Sequence, residues 1–265
     1  WRSAREHNAT MLANSLTELR QLAIGGTAVG TGLNASKAYE RAFIEALNEE
    51  TGIHFVGESN KFHALANRDA VVYVSGALKA LAANCMKMAN DIRWLASGPR
   101  SGLGEITLPA NEPGSSIMPG KINPTQCEAL AMVAVQVMGN DTAIGVAASQ
   151  GNFELNVYLP LIAFDLLQSI RLLTDALHSF SDKCLKGLVV NEDRMADLLE
   201  QSLMLVTALN THIGYDKGAE IAKKAFNEGT TLKDSALSLG YVTEEEYEYQ
   251  FRPEKMIGEN VDDYL

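Results

Sequence analysis

The sequence feature that most constrains the fold is a run of apolar residues spaced alternately three and four positions apart. Its members are Val71, Val74, Leu78, Leu81, Cys85, Met88, Ile92 and Leu95. This spacing is a heptad seam, which places all of these side chains on one face of an α-helix. A helix from Asp69 to Ser97 would be about 43 Å long at 1.5 Å per residue. Much of its remaining surface is alanine or valine, so we expect it to be buried on most sides in a helix bundle.

The rest of the chain also has a helical pattern. It predicts long helices at about 4–22, 36–49, 124–147, 155–180 and 191–210. Pro160 should kink the helix that contains it. Three short, charged helices follow, separated by Gly229 and Gly240, and no segment is predicted as a strand. We therefore predict an all-α protein: a long-helix bundle, incomplete at its N terminus, over 1–193, and a small helical C-terminal domain over 194–265.

The charge balance excludes several classes of partner. The formal net charge is −11, which repels nucleic acid and anionic membrane surfaces. A membrane-spanning helix needs roughly 20 consecutive apolar residues. The most apolar stretch does not meet this requirement, because it contains Lys79, Lys87, Asp91 and Arg93. We expect neither nucleic acid nor a membrane as a partner. An anionic substrate would have to be held by local cations or backbone dipoles.

The cysteines and histidines predict no metal site. Cys85, Cys127 and Cys184 form no C-x-x-C pair, and we expect reduced, mostly buried thiols in a cytosol-like compartment. The five histidines show no ligand spacing such as H-E-x-x-H. The chain begins at Trp1, without a methionine and inside a predicted helix, so we expect it to be a fragment of a longer protein.

The candidate for chemistry is the segment GSSIMPGKINPTQCEA, residues 114–129. Asn123 followed by Pro124 is a strong helix-start signal, with Asn123 as the cap and Gln126 completing a capping box. The backbone N–H groups of this helix N-terminus and the ammonium of Lys121 would form an anion site of carboxylate size. The Asn123 side chain could instead turn from capping to binding the ligand. These features alone also fit a flexible surface turn with a solvated lysine.

The string GSSIMPGKINP resembles the signature of the fumarase/aspartase superfamily, GSSxMPxKxNP, at every fixed position. Other segments, including QLAIGGTAVGTGLN and NDIRWLASGPRSGLGEI, resemble class II fumarate hydratases, and the resemblance covers nearly the whole chain except 259–265. It implies a lyase that adds water to fumarate to make malate, without a cofactor. It also implies a homotetramer whose active sites are shared between subunits, in the cytoplasm or, in a eukaryote, the mitochondrion.

The resemblance assigns roles to six residues. Ser115 is implied to be the base that removes the C3 proton of malate. Glu128 is implied to be catalytic through pairing with the family's active-site histidine. The implied substrate-binding residues are Ser116, Lys121, Ile122 and Asn123. Two of the family's three active-site regions, including that histidine, lie upstream of Trp1, so we expect no measurable hydratase activity from this chain alone.

Two other functions remain open at this point. Aspartate ammonia-lyase shares the fold and the motif, although NPTQCE, residues 123–128, resembles fumarases more closely. Lyases acting on argininosuccinate or adenylosuccinate diverge more strongly. The second alternative is a non-catalytic helical assembly module, which the heptad seam would also support.

Overall fold

The computed structural model describes residues 1–112, 117–118, 120–253 and 256–257. Helices dominate this part of the chain, and the predicted all-α bundle class is confirmed. The backbone divides into two compact units, Trp1–Val189 and Val190–Leu265. The domain ranges 1–193 and 194–265 stay a prediction.

The first unit contains the long helices. Its elements are α1 (Arg2–Leu19), β1 (Gln21–Leu22), α2 (Lys37–Thr51), β2 (Val56–Gly57), α3 (Lys61–Ala66), α4 (Asp69–Leu95), β3 (Ile106–Thr107), α5 (Thr125–Ala148), α6 (Leu159–Phe180) and a π-helical turn (Ser181–Leu185). The strand β4 (Val189–Val190) spans the division between the units. Strands β1 and β2 pair in parallel, with Gln21 opposite Val56. Two-residue strands carry no alternation signal, so the sequence predicted none of them.

The bundle core lies along α4, α5 and α6. Helix α5 packs against both α4 and α6, and α1 covers α4. Four members of the heptad seam, Val74, Leu78, Cys85 and Ile92, are buried, and the other four are half-buried. Opposite them, α5 and α6 bury Ala134, Val137, Ile144, Ile162, Leu166 and Leu173. The seam therefore marks the core face of α4, as its spacing predicted.

Buried polar side chains fix the register of α5 against its neighbours. The Asn140 amide of α5 donates to Ser169 Oγ of α6 at 3.0 Å and to the Asp165 carbonyl at 3.3 Å. On the other side of α5, Ser75 Oγ of α4 donates to the Asp141 carboxylate at 2.7 Å. A sliding of one helix along another would break these bonds and leave buried polar groups unpaired.

Two predictions about helix boundaries are wrong. Helix α6 begins at Leu159 rather than near residue 155, so Pro160 lies in its first turn, where no intrahelical N–H bond is required and no kink follows. The single helix predicted over 191–210 is divided: α7 ends at Glu200, and Ser202 is extended before a 3₁₀ helix begins. A periodic apolar pattern cannot distinguish one helix from two consecutive helical segments.

The second unit is a set of short helices around its own core. Its elements are α7 (Glu192–Glu200), the 3₁₀ helix (Leu203–Leu209), α8 (Asn210–Ile213), α9 (Tyr215–Glu228), α10 (Leu232–Ser238) and α11 (Glu244–Gln250). The last three are the short helices that the sequence predicted. The core of this second unit contains Leu209, Ile221, Ala225, Leu232, Ala236, Val242 and Tyr247.

Replacing Asp165 of α6 with asparagine should stabilise the chain at neutral pH. Asp165 is only 7% exposed, and burial raises the pKa of its carboxyl above the ordinary value. The folded state therefore binds this proton more tightly than the unfolded state. The contribution of Asp165 to the free energy of unfolding therefore falls as the pH rises from the ordinary pKa of about 3.9 through the raised pKa of the folded state.

Thermal unfolding followed by circular dichroism tests this expectation. The midpoint for Asp165→Asn should exceed that of the parent by a few degrees at pH 7, and the difference should vanish towards pH 3. Asp175→Asn, on the exposed side of the same helix, is the matched control and should change little. A lower midpoint for Asp165→Asn at pH 7 would show that the ionised carboxylate makes a net favourable contact.

Candidate active site

The candidate site is built around the N-terminus of α5, which begins one residue later than the sequence predicted. Pro124, not Asn123, is the N-cap residue, and it makes no side-chain capping bond. The reason is local: Pro124 has ψ 51°, outside the helical region, so helical geometry begins only at Thr125. The predicted cap at Asn123 is therefore wrong. Its alternative, an Asn123 side chain directed to a ligand, remains a prediction.

The predicted capping box is also absent, because its Gln126 side chain is engaged by another residue. Gln126 Oε1 accepts a hydrogen bond from Ser179 Oγ at 2.7 Å instead of reaching back to the cap. The Thr125 hydroxyl donates to Glu112 Oε1 at 2.6 Å. These bonds tie the first turn of α5 to the end of α6 and to the segment that precedes the motif.

The backbone at this helix start still has the features of an anion site. The first N–H bonded within the helix is that of Glu128, which donates to the Pro124 carbonyl at 3.0 Å. The N–H groups of Thr125, Gln126 and Cys127 precede that bond, so they cannot have intrahelical acceptors. Together with the helix dipole they favour a negative charge beyond the end of α5. The Glu112 carboxylate already lies beside this end of the helix.

The structure brings some of the predicted site residues together. Ile122 and Asn123 both line a small pocket of about 10 Å³ at the start of α5, enough for roughly one water molecule. Lys121 is exposed and adjacent to them in the chain, but it does not line that pocket. Glu128 is exposed on the first turn of α5. Ser115 and Ser116 lie outside the described residues.

Sequence reasoning missed the other side of this pocket. Asn111, Glu112, Lys183 and Cys184 also line it. The Asn111 side-chain amide donates to the Lys183 backbone carbonyl and joins two walls of the pocket. Glu112 could have been noticed as an acidic residue just ahead of the motif. Lys183 and Cys184 carry no sequence signal, because they are distant in the chain and reach the site only through the packing of α6 on α5.

The described residues include no group of three or more His, Cys, Asp or Glu side chains that could hold a metal ion. One helix in the described part of the chain, α5, is long and apolar enough to cross a membrane by length and composition alone. Core helices of other bundles pass the same test, and α5 packs against both α4 and α6.

Comparisons with known proteins agree with this architecture. The family model described as "Lyase" matches residues 1–139, and the model described as "Fumarase C C-terminus" matches residues 205–258. The class II fumarate hydratase of Helicobacter pylori is 59% identical over 97% of this chain and 55% of its own length. That of Staphylococcus haemolyticus is 58% identical over 97% of this chain and 56% of its own length.

A solved structure extends the likeness to the fold. The recombinant class II fumarase from Schistosoma mansoni superimposes with a TM-score of 0.93 and 42% identity, over 96% of this chain and 56% of that one. The chain thus spans a little over half the length of the relatives that it matches. Because the first family model covers just over half of the chain, the chain belongs to the lyase family that includes the class II fumarate hydratases.

Proposed function

We propose that this chain is the carboxy-terminal portion of a fumarate hydratase, which reversibly adds water to fumarate to make L-malate. The observation that carries the proposal is the 59% identity to a class II fumarate hydratase along 97% of the chain, GSSIMPGKINP segment included. The substrate is then a small dicarboxylate. Its negative charge suits the exposed lysine and the first three N–H groups of α5, which have no intrahelical acceptor.

The chemistry needs a base and a place for charge to accumulate. In the proposed mechanism, Ser115 removes the C3 proton of malate, and the adjacent carboxylate becomes a doubly charged aci-carboxylate. Lys121, Asn123 and the N-terminus of α5 stabilise that charge as it develops. A serine hydroxyl is a weak base when free, so its alkoxide also needs this positive environment. Ser116 and Ile122 complete the substrate contacts.

The exposure of Glu128 supports a role that involves another part of the enzyme. Glu128 lies on the first turn of α5 and is exposed to solvent. In the proposed mechanism it pairs with a histidine outside this chain and sets that side chain's charge and orientation. It therefore contributes to catalysis through its partner.

We further propose a homotetramer with shared active sites, located in the cytoplasm or, in a eukaryote, in the mitochondrion. The support is an apolar surface on the long helices, formed by Met132, Val135 and Val146 of α5 and Phe164 and Leu167 of α6, each at least half exposed. Large apolar side chains exposed together on packed helices are typical of protein–protein interfaces. Bundle helices of neighbouring subunits are the proposed cover.

A chimaera tests the proposed function. The upstream segment of the Helicobacter pylori relative is fused to Trp1, and fumarate consumption is followed by ultraviolet absorbance. We expect no measurable turnover from the chain alone and clear turnover from the chimaera. Ser115→Ala in the chimaera should reduce turnover by at least about 100-fold, as for loss of a general base.

The outcomes separate the alternatives. Turnover by the chain alone would contradict the claim that the site needs upstream residues. A folded, tetrameric chimaera that consumes fumarate only with ammonia would favour the ammonia-lyase. A folded chimaera inactive on both substrate sets would overturn the proposed function.

A further inference from the structure

Two of the three cysteines lie in contact in the interior of the bundle. Cys127 of α5 and Cys184 of the π-helical turn are 0% and 2% exposed, and their sulfur atoms are 3.8 Å apart. Both are free thiols. Cys85, the third, is equally buried on α4, but it makes no such contact with another described cysteine. The pair is therefore distinguished from Cys85 by proximity rather than by burial.

The two sulfur atoms are close enough to bond after a small movement. A disulfide requires a sulfur–sulfur distance of about 2.05 Å, so the gap must close by roughly 1.7 Å. Cys127 is the third residue of the long helix α5 and is held on both sides by the bundle. Cys184 lies in a π-helical turn, a geometry that is rare and less regular than an α-helix. The movement is therefore expected in the Cys184 segment.

The chemical environments of the two thiols differ. With Cys127 as donor, the hydrogen bond between them favours a thiolate at Cys184 and lowers the pKa of that residue. The same bond, together with burial, raises the pKa of Cys127. The thiolate is the form that attacks peroxides. Cys184 is also the member of the pair that lines the water-sized pocket at the start of α5.

We propose that Cys127 and Cys184 form a peroxide-responsive modification site. The Cys184 thiolate attacks one oxygen of a hydroperoxide, the O–O bond breaks, and a sulfenic acid forms with release of hydroxide or an alkoxide, which takes a proton from water. The Cys127 thiol then attacks that sulfur, the S–O bond breaks, and water leaves as the disulfide forms. Two thiols are oxidised and one peroxide is reduced. The modification does not depend on the proposed hydratase function.

Formation of the Cys127–Cys184 disulfide would also change the candidate active site. Lys183, next to Cys184, accepts through its backbone carbonyl the hydrogen bond from Asn111. Movement of this turn towards α5 therefore shifts the wall that faces Ile122 and Asn123 in the pocket. The modification site and the substrate-binding loop are thus mechanically connected.

Peptide mapping of the folded chain tests the proposal. The reduced protein is treated with hydrogen peroxide, quenched with catalase, alkylated and digested for mass spectrometry. We expect loss of two of the three free thiols, a Cys127–Cys184 linked peptide, and full recovery with dithiothreitol. Oxidation at Cys184 should be at least about tenfold faster than at Cys85. The linkage should lose its selectivity when the chain is oxidised in urea, because only the fold holds the pair together.

Variants define the roles of the two residues. Cys85→Ser is the matched control and should still form the linkage. In Cys127→Ala, the sulfenic acid at Cys184 should form more slowly, because the hydrogen bond from Cys127 is lost, and should then persist until dimedone traps it. Circular dichroism checks that each variant folds. If a variant does not fold, the peptide mapping of the parent protein tests the proposal by itself. Equal reactivity of all three thiols, or oxidation of Cys184 without linkage to Cys127 in the folded parent, would overturn the proposal.

Discussion

Lys121→Met in the chimaera described above should lower kcat/KM for malate by about 100- to 1,000-fold, or roughly 3–4 kcal/mol of transition-state stabilisation. In the proposed mechanism this ammonium faces a carboxylate whose charge doubles as the C3 proton leaves. Its interaction with the transition state is then stronger than with the bound substrate. Because such an interaction acts mainly on the chemical step, kcat should fall together with kcat/KM.

Steady-state kinetics on malate and fumarate measures both parameters. Lys224→Met is the matched control: its ammonium is held by Glu228 one turn along α9, so its loss should leave kcat/KM within about twofold. A rise in KM with an unchanged kcat would assign Lys121 to uniform substrate binding. Unchanged kinetics would remove this lysine from the site.

The long helices were predictable because their signals are local. The heptad seam identified α4 to within two residues at its end. The start and end of α2 were equally clear, since Ser36 accepts a hydrogen bond from the Tyr39 N–H at 3.2 Å and Gly52 has a left-handed φ of 67°. Both signals depend on a few neighbouring residues and need no knowledge of the rest of the fold.

The candidate site was predictable only in part, because most of its geometry is not local. The loop before α5 and the charge of Lys121 could be read from one segment. The cap at Asn123 could not, since Ser179 engages the Gln126 side chain that the predicted capping box would use. Local capping rules give way when a tertiary partner offers a better bond. The Cys127–Cys184 contact likewise joins residues 57 positions apart.

Asn156 shows the same limit at the junction of α5 and α6, where a helix start predicted near residue 155 lies at Leu159. Its side chain is fully buried, and its amide donates to the carbonyls of Ala147 at 3.1 Å and Gln150 at 3.0 Å. Its oxygen accepts from the Tyr158 N–H at 2.9 Å. One side chain thus provides hydrogen-bond partners both for backbone carbonyls at the end of α5 and for a backbone N–H just before α6.

Asn156→Asp should therefore lower the free energy of unfolding at pH 7 by about 3–5 kcal/mol, because a carboxylate oxygen would face the carbonyl oxygens of Ala147, Ala148 and Gln150 in a buried site. Burial and those carbonyls should raise the pKa of the introduced carboxyl against the opposing positive charge of Arg68, whose guanidinium donates to the Asn156 backbone carbonyl at 3.4 Å. The folded variant then binds a proton more tightly than the unfolded chain, so its deficit should shrink as the pH falls from 7 towards 4. Asn156→Leu, which adds no charge, should cost less at pH 7 and show no such dependence.

Urea unfolding followed by circular dichroism at pH 4, 5.5 and 7 measures these differences. Asn90→Asp, an exposed change on α4, should stay within about 0.5 kcal/mol of the parent at each pH. If Asn156→Asp matched that control, the amide bonds at the α5–α6 junction would be dispensable. A deficit that is equally large at pH 4 and pH 7 would assign the loss to the missing donors rather than to the buried charge, because protonation removes only the latter.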